Sequence, residues 1–135
     1  MKYKIILSLL MFIALAILDA ILVWLGFYDR NIPVDLFEHF LGGIVLGIMG
    51  MWWFKSHRLS DSPKFLSIFV ISTFALLGSF IWELMEYGLF HLTPNFADYF
   101  YLYSATTSDL LSDMVCGLAG GLLVAIYFVA RGNKQ

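Results

Sequence analysis

Charge is scarce in this chain. Of 135 residues only 13% are Asp, Glu, Lys or Arg, while 61% are hydrophobic. Soluble domains carry about a quarter charged and about half apolar residues. That deficit excludes an ordinary water-soluble globule and points to an integral membrane protein, with length for one domain over residues 1–135. Cysteine is nearly absent. Cys116 stands alone, so no intrachain disulfide exists, and its apolar neighbours make it a small packing residue. The net charge is −2 and no basic tract occurs, which removes nucleic acid as a partner. Neither a nucleophile-elbow serine nor an HExxH zinc motif appears.

What is present is length in the apolar runs. Crossing the bilayer core takes about 20 helical residues. Four stretches qualify, at about 5–27, 36–54, 65–91 and 109–130. The start resembles a signal peptide, with Lys2 and Lys4 before an apolar stretch and Ala-Leu-Ala at 14–16. Its apolar run continues to Phe27, too long for that role and right for a span. The connectors carry breakers: Asn31 with Pro33, a polar segment ending at Pro63, and Pro94. The expectation is an all-α, four-helix membrane bundle.

Basic residues orient it. Lys2, Lys4, Lys55, Arg58, Lys64, Arg131 and Lys134 share the side of the termini, against Arg30 on the other. Basic residues favour the cytoplasmic face, so both termini are expected inside. The outer connector between the third and fourth spans holds Phe96, Tyr99, Phe100, Tyr101 and Tyr103. Aromatics favour the membrane interface, so this segment is read as an interfacial anchor, with a lid as the alternative. Gly43 and Gly47, like Gly117 and Gly121, are four residues apart. Small residues at this spacing let helices approach closely, so the second and fourth spans pack on each other or on a second copy.

The acidic residues are not scattered. Nine of ten lie on the outer side or in the outer half of a span; Asp61 is the exception. Asp35 and His39 are four apart, Glu83 and Glu86 three apart, and Asp109 and Asp113 four apart. Residues at these spacings share a helix face. At 1.5 Å per residue, all three pairs fall within about 10 Å of the outer boundary. Like charges in a dry site repel, and the outer side offers little cationic compensation. Either some carboxyls hold protons or a divalent ion sits among them. Carboxylates with one imidazole suit Mg, Mn, Ca, Fe or Zn. The expected ligands are Asp35, His39, Glu83, Glu86, Asp109 and Asp113.

Plainer readings stand beside this one. Asp35 with Glu38 fits a helix capping box, and Asp109 suits a helix N-terminus through the dipole. Asp19 is read either as a supporting partner behind the ligands or as a helix–helix hydrogen bond, the latter favoured. His91 sits at the interface and is left out. Trp82 and Tyr87 read as packing groups.

The segments DLFEHFLGG, WELMEYG and DLLSDMVCGLAGG, in this order, resemble the YjdF-like family of bacterial inner-membrane proteins. The matching positions are Asp35, His39, Phe40, Glu83, Glu86, Tyr87, Asp109, Asp113 and Met114. Looser similarity extends to VanZ-like membrane proteins. The resemblance covers about residues 30–125 and implies a multi-pass protein of the bacterial or archaeal cytoplasmic membrane whose three pairs belong together. The segment before Asp109 departs from the family pattern.

Three functions compete. The first is a metal-dependent enzyme on a lipid or lipid-linked envelope substrate, with Glu83 or Glu86 as general base. The second is a cation- or proton-coupled transporter, for which neither an inverted repeat nor an acid trail through the inner half is present. The third is a structural or antibiotic-tolerance accessory protein whose metal merely staples the helices.

Overall fold

The computed structural model describes residues 2–28, 33–57, 62–102 and 106–131. Arg30, Asn31, Arg58, Asp61, Tyr103 and Lys134 fall outside these residues. Five helices follow in order: α1 (Lys2–Trp24), α2 (Val34–Ser56), α3 (Lys64–Leu92), α4 (Pro94–Tyr99) and α5 (Thr107–Arg131). Among the described residues there is no strand. Four of the helices are long and apolar enough to cross a membrane, and α4 is the short connector between the third and fourth spans. The fold is an all-α, four-helix membrane bundle.

The first span ends three residues before the sequence pattern suggested. Gly26 adopts a positive φ of 67°. Its N–H donates to the Val23 carbonyl at 2.9 Å, and the Phe27 N–H donates to that of Leu22 at 3.0 Å. This paired closure satisfies carbonyls that a helix end leaves open, and it needs a left-handed residue, which glycine provides without strain. The chain turns there, and Tyr28 comes back against the bundle.

Prolines set the other starts. Pro33 and Pro63 precede α2 and α3, and Pro94 is the first residue of α4. Proline is tolerated at a helix start because its missing N–H would be unpaired there anyway. The expected capping box of Asp35 and Glu38 is not formed. Pro33 occupies the cap position without a side-chain cap bond, and Glu38 turns to Tyr28 instead. Asp35, already inside the first turn, is free to face the bundle.

α2, α3 and α5 form the tight core of the bundle, and α1 packs on α2. The glycines make the closeness. A methyl on Gly43 would collide with the Gly117 backbone, and one on Gly120 with the Phe40 carbonyl. A methyl on Gly47 would sit 3.1 Å from the Gly121 Cα. The glycine faces of α2 and α5 therefore meet within one chain. In lipid such packing, rather than exclusion from water, holds helices together. Towards the chain termini Phe54, Ile71, Ala125 and Phe128 close the core, with Phe54 and Phe128 edge to face at 6.1 Å. Lys4, Lys55, Lys64 and Arg131 ring that same end.

Candidate metal centre

The opposite end is built differently. α2 and α5 begin there and α3 ends there, so residues near position 37, 85 and 111 come to one depth. His39 and Asp113 lie about 8–9 Å inside their helix starts at 1.5 Å per residue. Their burial is near complete: His39 is 7% exposed, Glu83 5%, Glu86 8% and Asp113 2%. Asp35, one turn from His39, is partly open, with 39% of its side chain exposed.

Two overlapping triads result. Asp35, His39 and Asp113 each offer a ligand atom within 4.8 Å of the others, and so do His39, Glu83 and Glu86. His39 belongs to both and is the pivot. Its Nε2 lies 3.4 Å from Asp35 Oδ1 and 3.5 Å from Glu83 Oε1. Good hydrogen bonds of this kind span about 2.7–3.2 Å, so both are loose contacts. Two ligands held about 2.1 Å from one ion at the tetrahedral angle are about 3.4 Å apart. The spacing fits a shared ion.

A second observation points the same way. Glu83 Oε1 and Asp113 Oδ1 are fully buried and have no hydrogen-bond partner among the described residues. Buried polar atoms are almost always paired, because an unpaired one costs about 1–3 kcal/mol, more if charged. Among the described residues no Lys or Arg stands at this end of the bundle. The donor set of carboxylates and one imidazole suits a hard or borderline divalent ion.

Asp109 does not join either triad. It is half-buried in the first turn of α5, where its backbone N–H is held by Thr106 Oγ1 at 3.3 Å. There the helix dipole stabilises an acid without any ligand. His91 is exposed, its Nδ1 2.8 Å from the Tyr87 carbonyl. Trp82 does more than pack: its Nε1–H donates to Glu86 Oε1 at 2.5 Å. The i, i+4 spacing of Trp82 and Glu86 carried that signal.

A cavity of about 780 Å³ adjoins the cluster, between α1, α2 and α3 and beneath α4. Asp35, His39 and Glu86 stand in its wall. So does a polar group the sequence did not reveal. The Tyr28 hydroxyl lies 3.0 Å from Asp19 Oδ1 and 2.8 Å from Glu38 Oε2. It has one proton and donates to one of them at a time. Burial, then the neighbouring Glu38 and Asp19 carboxyls, push the phenol far above its usual range, so it stays protonated. Tyr28 also stacks on Tyr101 with centroids 5.0 Å apart, which ties the end of α1 to the α4 connector. Asp19 thus contacts Tyr28 rather than the His39 cluster.

Four spans around an Asp/Glu/His cluster define a multi-pass membrane protein with a polar site between its helices. The chain belongs to the family described as predicted membrane protein (DUF2238), which matches residues 1–134. No curated protein matches it, and no solved structure does.

Proposed function

We propose that Asp35, His39, Glu83 and Asp113 hold a divalent ion near the outer leaflet, that Glu86 stands beside it as general base, and that the site acts on a lipid or lipid-linked envelope substrate. The observation that carries this is a pair of buried oxygens without a hydrogen bond, Glu83 Oε1 and Asp113 Oδ1, with His39 Nε2 3.5 Å from the first. The outer-leaflet placement follows from Lys4, Lys55, Lys64 and Arg131 at the far end, which favour the cytoplasmic face. The likeness to YjdF-like proteins of the bacterial inner membrane agrees with the family assignment.

A bound divalent ion polarises an ester or phosphoryl oxygen, or acidifies a bound water. The chain's own residues do the rest. His39 presents Nε2, while Asp35, partly open, lies where water and a headgroup arrive. Glu86, fixed through Trp82 and facing the cavity, is placed to take a proton from a nucleophile there. Glu83 and Asp113 are enclosed and serve as ligands.

Transport is the weaker reading. Towards the termini, the buried polar groups among the described residues are the hydroxyls of Ser8, Ser67 and Ser72. A cation path needs acids or carbonyls along its length.

The test is elemental analysis of purified protein, followed by mass spectrometry of envelope lipids incubated with it. The expected result is a stoichiometric divalent ion in the parent chain, lost in Glu83→Gln and Asp113→Asn and kept in Asp109→Asn. Metal in all three variants at the parent's level ends the metal reading. Metal-loaded protein that leaves every lipid unchanged ends the enzymatic one.

A further inference from the structure

The cavity has a direction. On α2 its wall is the stripe Asp35, His39, Gly42 and Leu46, one helix face read at spacings of four, three and four. On α3 it runs from Glu86 through Trp82 to Ser79 and Gly78. On α1 it runs from Asp19 through Ala16 to Phe12. All three walls are polar at the site end and apolar or small deeper in. Asp35 to Leu46 spans about 16 Å of helix axis, close to half the ~30 Å hydrocarbon core, which is one leaflet.

The slot also has a side. α1 packs on α2 and makes little contact with α3. Ile13 on α1, and Ile81 and Met85 on α3, line the cavity yet are 45%, 61% and 48% exposed. They form a rim that meets lipid. α4 and its connector cover the polar end with Phe96, Phe100 and Tyr101. A molecule from the bilayer can therefore enter sideways between α1 and α3 without crossing the water face.

We infer that this slot takes one aliphatic chain of an outer-leaflet amphiphile and thereby sets its headgroup against His39 and Glu86, with Gly42 determining which chains fit. The inference rests on the lipid-directed reading of the site and names the way the substrate is held. Three features select this occupant: the polar-to-apolar gradient, the one-leaflet depth and the lipid-facing rim. The volume lies within the about 300–1,000 Å³ of small-molecule pockets.

Gly42 is the selecting position because of what surrounds it. A Cβ there meets nothing within 4 Å, although Gly43 next to it tolerates none. It lies one turn below His39, so any side chain added projects into the slot just under the headgroup. On α1, Ala16 faces the slot from the other wall and is exposed.

The experiment uses the full chain in nanodiscs of a phospholipid whose one acyl chain ends in a diazirine. After photolysis, peptide mass spectrometry locates the adducts. Labelling is expected at Phe12, Leu46 and Gly78, above that of the lipid-facing Val115 and Leu123. Gly42→Leu, and separately Ala16→Phe, lower the slot adducts about tenfold, equal to about 1.4 kcal/mol of binding, and leave those at Val115 and Leu123 unchanged. Uniform labelling of slot and outer surface, or slot labelling indifferent to both variants, overturns the inference. Metal content is measured on the same samples. Parent protein without metal whose slot still labels above Val115 and Leu123 counts against the ion alone, and metal-loaded parent protein that labels uniformly counts against the slot alone.

Discussion

His39 Nε2 stands 3.5 Å from Glu83 Oε1, an imidazole on α2 facing a carboxylate on α3 with both side chains 5% exposed. Neither helix meets the other's polar residue by chance. Gly43 and Gly47 bring α2 against α5, Gly50 and Gly78 bring α2 against α3, and the polar faces close over each other at one end. The candidate site is thus a product of the glycine packing beneath it.

His39 is shared by both triads, so its loss breaks both. His39→Gln is expected to lower divalent-ion affinity by at least the about 10–100-fold seen when merely supporting groups around a metal are removed. Titration of metal-stripped protein with Zn²⁺ or Mn²⁺ measures it, and an unchanged affinity contradicts the assignment.

Adjacent glycines should respond in opposite ways. Gly43→Ala places a methyl against the Gly117 backbone, which cannot yield as a flexible side chain can. It is expected to destabilise by about 1–3 kcal/mol, the usual cost of overpacking. Gly42→Ala meets open space and gains up to about 1 kcal/mol of helix propensity. Thermal unfolding in one detergent compares them, and equal stability of the two variants argues against this packing.

Tyr28→Phe removes the only hydroxyl between Asp19 and Glu38 among the described residues. The expected cost is about 1–3 kcal/mol of stability, because the half-buried carboxyl that accepts the Tyr28 proton loses its donor. Metal content should stay at the parent level, since neither carboxyl belongs to the triads. A variant that loses its ion would move Tyr28 into the site.

Phe54 is wholly buried in the core near the termini. In a soluble protein Phe→Ala costs about 3–5 kcal/mol. Here the separated helices would keep that ring in lipid, as apolar as the core, so only packing contacts are lost. Phe54→Ala is expected to cost about 1–2 kcal/mol in a bilayer unfolding assay, and a full soluble-protein loss would mean that this core is wet when helices part.

Much of this was written locally. Twenty-residue apolar runs bounded by proline declare spans, because an unbroken helix is how a single segment satisfies its backbone in lipid. The pairs 35/39, 83/86 and 109/113 declare shared faces through the 3.6-residue period. Gly26 marked the true end of α1, a signal outweighed by the apolar residues after it. Other features were not legible. Asp35 with Glu38 has capping-box spacing, yet Pro33 caps the helix and Tyr28 claims Glu38. Asp109 shares a stripe with Asp113, yet one extra turn leaves it outside both triads.

The amino-acid order by itself determined that the chain is a membrane protein, how many times it can cross, and which faces carry acids and glycines. Those properties depend on residues a few positions apart, where helix geometry is fixed. Which acids meet His39, that Tyr28 folds back between Asp19 and Glu38, and that a slot stays open between α1 and α3 were decided only by the tertiary structure. They depend on how closely separate helices approach, and that distance is set by contacts between residues far apart in the chain.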